Sequence, residues 1–163
     1  VVGAETLYNQ GVLLKKKEAI KVREDFYNNN QNPVVALSTE EAIEEFDGGY
    51  VEYLMYDFHA NELHSPLLSS ETPKIEIYVD DKVFSTEVIG KKVFIDDSPA
   101  ERKDIIIRTS KTEIVKMLQE RSYILQSFNE GKSKIEVVEN KAKLFSKGYL
   151  ELYERLTGEK AVL

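Results

Sequence analysis

Hydrophobic and polar residues alternate along the middle of the chain. The segments 74–79 (KIEIYV) and 83–89 (VFSTEVI) alternate, and Asp80-Asp81-Lys82 between them is typical of a turn. The segment 93–95 follows Gly90-Lys91-Lys92 and predicts a third short strand. Because alternation turns every second side chain to the same face, these segments predict neighbouring strands with one buried face.

Two more strands are predicted further along the chain. Residues 104–109 (DIIIRT) are continuously apolar at their centre, which is typical of a strand covered on both faces. Residues 132–138 alternate again and predict a last strand. Between them, Ser110 and Glu113 form a capping box before an apolar helix, and a second short helix is predicted around residues 123–128.

The segment before the first strand, residues 38–58, contains one predicted helix and one stretch whose secondary structure is ambiguous. Ser38 and Glu41 form a capping box, so a helix is predicted to begin there and to end at Gly48-Gly49. Residues 50–58 (YVEYLMYDF) fit either a strand or a helix. Their aromatic content favours a strand, whereas Tyr50, Leu54 and Phe58 would share one face of a helix.

The C-terminal segment predicts one amphipathic helix that begins at Glu139 or Asn140. Gly158 lies where a C-terminal cap is expected. The helix would present a wide apolar face made of Leu144, Phe145, Gly148, Tyr149, Leu152, Tyr153 and Leu156.

An N-terminal helix is predicted over residues 5–27, followed by an Asn-rich loop at 28–33 that ends it. The expected organisation is therefore an N-terminal helix and hinge at 1–32 and an α+β domain at 33–163. That domain would contain an antiparallel-rich sheet, arranged as a meander and covered by helices on one face. The apolar face of the N-terminal helix approaches heptad spacing, which favours self-association, and consists of Tyr8, Val12, Ala19, Val22 and Phe26.

Composition narrows the function classes. The 163 residues include 22 Lys and Arg against 29 Asp and Glu, a net charge of −7 that disfavours a general nucleic-acid partner. The chain has no cysteine, which excludes disulfides, thiolate catalysis and zinc–thiolate sites. The compartment is not indicated. The Lys15-Lys16-Lys17 triplet would suit the flank of a membrane anchor preceding Val1, and truncation at a domain boundary is the alternative.

The sequence gives only weak signals for catalytic or metal-binding groups. His59 and His64 are five positions apart and would not share a helical face, so no metal is predicted. The Asp80-Asp81 pair is typical of an exposed turn. Gly131-Lys132-Ser133 lacks the upstream glycine of a phosphate-binding loop. Neither a catalytic residue nor a cofactor is therefore predicted.

Residues 74–156, about half of the chain, resemble the sterol carrier protein type two family. A strand at 104–109 leads into a helix at 113–118, and the stretch 128–136 (FNEGKSKIE) is similar to that family's Phe-x-x-Gly-Lys-x-Lys-Ile segment. The chain departs from the family in having Val137-Val138-Glu139 where a glycine is usual, and charged Lys141 and Lys143 in its last helix. The resemblance implies an α+β domain with a hydrophobic tunnel for fatty acyl or isoprenoid-type ligands and no chemical reaction.

The aromatic residues offer the remaining functional hypothesis. Nine Tyr and seven Phe concentrate in segments such as 50–58, 123–128 and 145–153, where they form either a core or the wall of an apolar cavity. The function expected from this reading is non-enzymatic binding of an apolar small molecule between the sheet and the C-terminal helix. The alternative is a structural or interaction module assembled or anchored through its N-terminal helix. The candidate wall residues are Phe128, Ile135, Val137, Leu144, Phe145, Tyr149 and Leu152.

Overall fold

The structure is a computed structural model that describes residues 32–160. The chain divides into two units after Leu37. In the described part of the first, a 3-10 helix spans Pro33–Ala36, and the Asn32 side chain caps it by accepting a hydrogen bond of 3.0 Å from the Val34 N–H. The predicted N-terminal helix and its association face lie outside the described residues. The boundary at residue 32 stays a prediction.

The second unit contains five strands in one open sheet. The strands are β1 (Lys74–Val79), β2 (Lys82–Ile89), β3 (Lys92–Asp96), β4 (Ile105–Thr109) and β5 (Lys134–Val137). Their spatial order is β3-β2-β1-β4-β5, and three of the four pairings are antiparallel. The prediction of an α+β fold with an antiparallel-rich sheet is therefore confirmed.

The path of the chain through the sheet differs from a plain meander. Strands β1 to β3 follow one another, but β4 returns to the other side of β1 and pairs with it in parallel. The three isoleucines of β4 explain this position, because all of them are buried. A strand that is apolar on both faces is most stable in the interior of a sheet, with a partner on each side.

Six α-helices accompany the sheet in residues 38–160: α1 (Thr39–Glu44), α2 (Gly48–Asp57), α3 (Lys111–Gln119), α4 (Tyr123–Asn129), α5 (Lys141–Lys147) and α6 (Tyr149–Thr157). A 3-10 turn spans Ala60–Glu62. Both predicted capping boxes have their first bond: the Glu41 N–H donates to Ser38 Oγ and the Glu113 N–H to Ser110 Oγ, each over 3.1 Å. None of the helices in this part of the chain combines the length and apolarity needed to cross a membrane.

Most of residues 50–58 form a helix, so the favoured interpretation as a strand is wrong. Gly48 begins α2 instead of ending α1, and the Asp47 side chain caps it by accepting a 2.9 Å hydrogen bond from the Gly49 N–H. Every residue of α2 from Tyr50 to Asp57 is buried. A helix that is buried on all sides needs no polar stripe, so the helical periodicity of its hydrophobic residues is weak. The aromatic residues of this segment reflect its burial and not a strand.

The helices α2, α5 and α6 cover one face of the sheet, the one that carries Ile75. Thr86, which pairs with Ile75 across β1 and β2, approaches Met55 of α2 to 4.0 Å. Lysine, arginine and glutamate side chains occupy much of the opposite face. There the Arg108 guanidinium lies 4.6 Å from the centre of the Tyr78 ring and bonds Glu136 over 3.1 Å.

The predicted single C-terminal helix is broken at Gly148. Its φ of 93° lies in the left-handed region that favours glycine, and a Cβ there would come within 3.5 Å of His64 Nε2. Gly158 has a φ of 72° and ends α6, as predicted. The break turns the chain between α5 and α6, so the two helices form separate walls beside the sheet.

Candidate ligand-binding cavity

A cavity of about 390 Å³ lies between β4, β5 and the two C-terminal helices, and one side of it is open to solvent. Its deep part is closed by buried residues such as Leu152, whereas Val137 and Phe145 at the mouth are 57% and 56% exposed. The lining consists of Ile105, Ile135, Val137, Lys141, Leu144, Phe145, Tyr149, Leu150, Leu152 and Tyr153.

Local sequence rules explain how each wall is placed. In the antiparallel pairing of β4 and β5, Ile105 lies opposite Val137, and Ile135 is two positions from Val137, so their side chains share one face. The Asn140 side chain starts α5 by accepting a 2.9 Å hydrogen bond from the Lys143 N–H. The alternation that predicted a strand thus also fixed one wall of the cavity.

The structure brings six of the seven predicted wall residues together around this cavity. They are Ile135, Val137, Leu144, Phe145, Tyr149 and Leu152. Whether they bind a ligand stays a prediction.

Phe128 is the seventh, and it is not among the lining residues. Its ring packs edge-on against Phe58 with the ring centres 5.9 Å apart. Phe58 lies directly after α2, in a segment for which the sequence favoured a strand. The sequence therefore did not predict the contact between Phe58 and Phe128. Phe128 therefore contributes to the packing between helices.

Four lining residues were not predicted: Ile105, Lys141, Leu150 and Tyr153. Tyr153 gave a signal, because it is four positions after Tyr149 on the apolar helical face. Lys141 was noted only as a departure from the family pattern. Ile105 could not be predicted as a lining residue without knowing that β4 pairs with β5.

The stretch that carries the family resemblance has a structural role in the turn between α4 and β5. Gly131 takes a φ of 75° after α4, and the N–H groups of Lys132 and Ser133 both donate to the Ser127 carbonyl over 3.0 Å. The Ser133 hydroxyl is hydrogen-bonded to the hydroxyls of Ser127 (2.7 Å) and Thr109 (2.8 Å). These bonds fix the start of β5 and hence the cavity wall that follows it.

Tyr149, a lining residue, also belongs to a partly buried cluster of charged and polar side chains. We call Glu71, Arg102, Asp104, Lys147 and Tyr149 the Asp104 cluster. Asp104 Oδ1 accepts hydrogen bonds from Lys147 Nζ (2.6 Å) and Arg102 (2.9 Å). Asp104 Oδ2 accepts one from the Tyr149 hydroxyl over 2.7 Å. Lys147 also donates to Glu71 Oε1 over 2.7 Å. The side chains of Asp104 and Lys147 are both 0% exposed.

The cluster sets the ionisation of its members. Burial by itself would raise the pKa of Asp104, but hydrogen bonds from Lys147, from the Lys74 N–H and from Tyr149 hold it below its ordinary value. The hydrogen bond from Lys147 likewise lowers the pKa of Glu71. Burial, together with the Asp104 charge, raises the pKa of Tyr149 well above the ordinary range. The Tyr149 ring thus lines the cavity while its hydroxyl is committed to Asp104.

Carboxylate oxygens of Glu71, Asp104 and Glu139 lie within 4.8 Å of one another. Lys147 and Arg102 each pair with both Glu71 and Asp104, so two cations of the chain already balance these two carboxylates. His59 Nδ1 lies 3.5 Å from Glu62, and His64 Nδ1 bonds the Ser65 carbonyl. Neither histidine belongs to a group of three close ligating side chains within residues 32–160.

We expect the free energy of unfolding to fall as the pH drops below about 5. Glu71 and Asp104 have ordinary pKa values of 4.5 and 3.8, and folding lowers both. In acid the unfolded chain therefore takes up protons first, so stability is fully present above those ordinary values and is lost as the pH falls towards the folded ones. Urea unfolding between pH 7 and pH 2 measures this. A stability that rises towards acid would contradict the assignment.

No model of a known protein family matches the chain, and no curated protein matches it. Its function is therefore inferred from the cavity and from the side chains that line it.

Proposed function

We propose that this domain binds an apolar small molecule of fatty acyl or isoprenoid type in the cavity and carries it without chemical change. One observation carries the proposal: nine of the ten lining side chains are aliphatic or aromatic, and a lysine is the tenth. Ligand pockets in proteins have this character, mostly apolar with a few polar groups.

The dimensions fit a small amphiphile. A volume of about 390 Å³ lies inside the usual range for ligand cavities, roughly 300–1,000 Å³. A ligand that buries about 300 Å² of apolar surface gains about 7.5 kcal/mol, from which the cost of association must be subtracted. We therefore expect dissociation constants in the micromolar range or weaker.

Carriage is favoured over catalysis by the chemistry of the lining. Among residues 32–160 the lining contains no histidine, carboxylate, serine or cysteine, so these residues offer no paired nucleophile and base. The Tyr149 hydroxyl already donates to Asp104. The resemblance of residues 74–156 to the sterol carrier protein type two family supports the same function, and membership of that family is part of the proposal.

A matched pair of variants tests the cavity. Val137 and Val138 are neighbours, 57% and 50% exposed, but only Val137 lines the cavity. Val137→Asp should weaken binding of a fluorescent fatty acid at least tenfold, because the acyl chain would have to displace water from the new carboxylate. Val138→Asp should leave the dissociation constant within about twofold of that of the unmodified protein.

Equal losses in both variants would indicate a general effect on folding and contradict the assignment of the cavity. Native mass spectrometry of protein purified from cells gives an independent reading. No bound lipid there, together with no uptake of the fluorescent acid, would remove the binding proposal.

Protein interaction at the same groove is the second candidate. Val137, Val138 and Phe145 are all at least half exposed, and an apolar side chain of a partner could cover them. The lipid assay separates the two candidates, because a groove that serves only a protein partner takes up no free lipid. Self-association through the N-terminal helix and a membrane tether before Val1 concern residues outside those described, and they stay predictions.

A further inference from the structure

Two polar groups in the lining lack a partner within residues 32–160. The Lys141 ammonium makes no ion pair there, and no hydrogen bond of the Tyr153 hydroxyl is found there, since the Thr157 hydroxyl bonds the Tyr153 carbonyl oxygen. Lys143, two positions after Lys141, differs from it, because it pairs with Glu71 at 3.8 Å and Glu139 at 3.7 Å. The described part of the chain contributes no acidic side chain to the lining. Both unpartnered groups can donate a hydrogen bond, and one of them is a cation.

We propose that the ligand is a long-chain carboxylic acid whose carboxylate pairs with Lys141 while its acyl chain occupies the apolar part of the cavity. This inference rests on the proposed function and deepens it. Lys141 is the first residue of α5 and is exposed, so it lies at the cavity rim, where a head group remains partly hydrated. Leu144 and Phe145, one turn further along α5, continue the wall with apolar surface.

The charge of the lining selects the head group. A neutral head, such as an alcohol or an ester, leaves the Lys141 cation without a counter-charge beside apolar surface, whereas a carboxylate supplies one. A phosphate monoester carries nearly two negative charges, and proteins usually bind it with several donors or with arginine. One lysine and no arginine in the lining therefore favour a singly charged carboxylate.

The size of the effect follows from the position of Lys141. Exposed ion pairs are weak, and a pair at the rim of an apolar wall is screened less than one on an open surface. We expect the carboxylate to strengthen binding about fivefold over a neutral head group of equal chain length.

The experiment compares dodecanoic acid with 1-dodecanol at pH 8 and low salt, where the acid is ionised. Both displace a neutral fluorescent probe from the unmodified protein, and the acid should bind about fivefold more tightly than the alcohol. Lys141→Gln should bring this ratio close to one by weakening the acid alone. Lys141→Arg should keep the ratio, and so should Lys143→Gln, which removes the same charge from a residue that does not line the cavity.

Two results overturn this inference and leave the proposed function intact. The first is equal affinity of acid and alcohol for the unmodified protein. The second is an acid preference that Lys141→Gln preserves or that Lys143→Gln abolishes as fully. Failure of both ligands to displace the probe overturns the proposed function and this inference together. Unfolding in urea at midpoints close to that of the unmodified protein establishes that the exposed substitutions leave the fold intact.

Discussion

The Asp104→Asn variant should lose about 3–5 kcal/mol of its free energy of unfolding, although it changes the shape of the side chain very little. Four donors converge on the two carboxylate oxygens: Lys147, Arg102, the Tyr149 hydroxyl and the Lys74 N–H. An asparagine has one acceptor oxygen and an NH₂ group, so two donors would face another donor. The buried Lys147 would also lose one of its two counter-charges.

Urea unfolding at pH 7 measures this loss, and an unchanged dependence on urea concentration would indicate that both end states are preserved. Asp97→Asn is the matched control, because Asp97 is exposed in the loop after β3. We expect the control to stay within about 0.5 kcal/mol of the unmodified protein. A loss below about 1 kcal/mol in Asp104→Asn would mean that the cluster is solvated and contributes little.

A comparison of two phenylalanines should separate stability from binding. Phe58 is 0% exposed and packs against Phe128, so Phe58→Ala should cost about 3–5 kcal/mol by leaving a cavity in the core. Phe145 is 56% exposed at the mouth of the cavity, so Phe145→Ala should cost less than about 1 kcal/mol. The same variant should weaken binding of dodecanoic acid severalfold, because the wall loses apolar contact area.

Thermal or urea unfolding and the displacement assay together decide this prediction. Phe58→Ala, measured at a temperature where it is folded, should bind the acid as the unmodified protein does. If Phe145→Ala destabilises the fold as much as Phe58→Ala, the mouth of the cavity is part of the core. If it binds the acid with unchanged affinity, Phe145 is not a wall residue.

Features that depend on neighbouring residues were accessible from the sequence. The bond from the Glu41 N–H to Ser38 and the left-handed Asp80 between β1 and β2 involve positions within a few residues of each other. The alternation of residues 132–138 and the helical spacing of Tyr149 and Leu152 placed side chains on the correct faces. Most of the cavity wall was predicted for this reason.

Features that depend on distant partners were not accessible. The parallel pairing of β1 with β4 joins Ile75 to Ile105, and neither residue indicates the other. A lysine in a helix is usually exposed, yet Lys147 is buried, where it donates hydrogen bonds to Glu71 and Asp104. Phe128 was predicted to line the cavity, but its ring packs against Phe58, which belongs to the ambiguous segment 50–58. In each case the contacts of a residue depend on a helix, strand or loop that is distant in the sequence.

The Asp104 cluster also has a consequence for the order of events in folding. Lys147 is 43 positions after Asp104 and 76 after Glu71, whereas β1 and β2 are joined by a turn of two residues. Closing long loops costs entropy before any contact compensates for it, so the hairpin should form early and the cluster late. Interactions that are absent from the transition state mainly slow unfolding. The hydrogen bonds of the buried Lys147 should therefore form late in folding, slow unfolding and lengthen the lifetime of the native state.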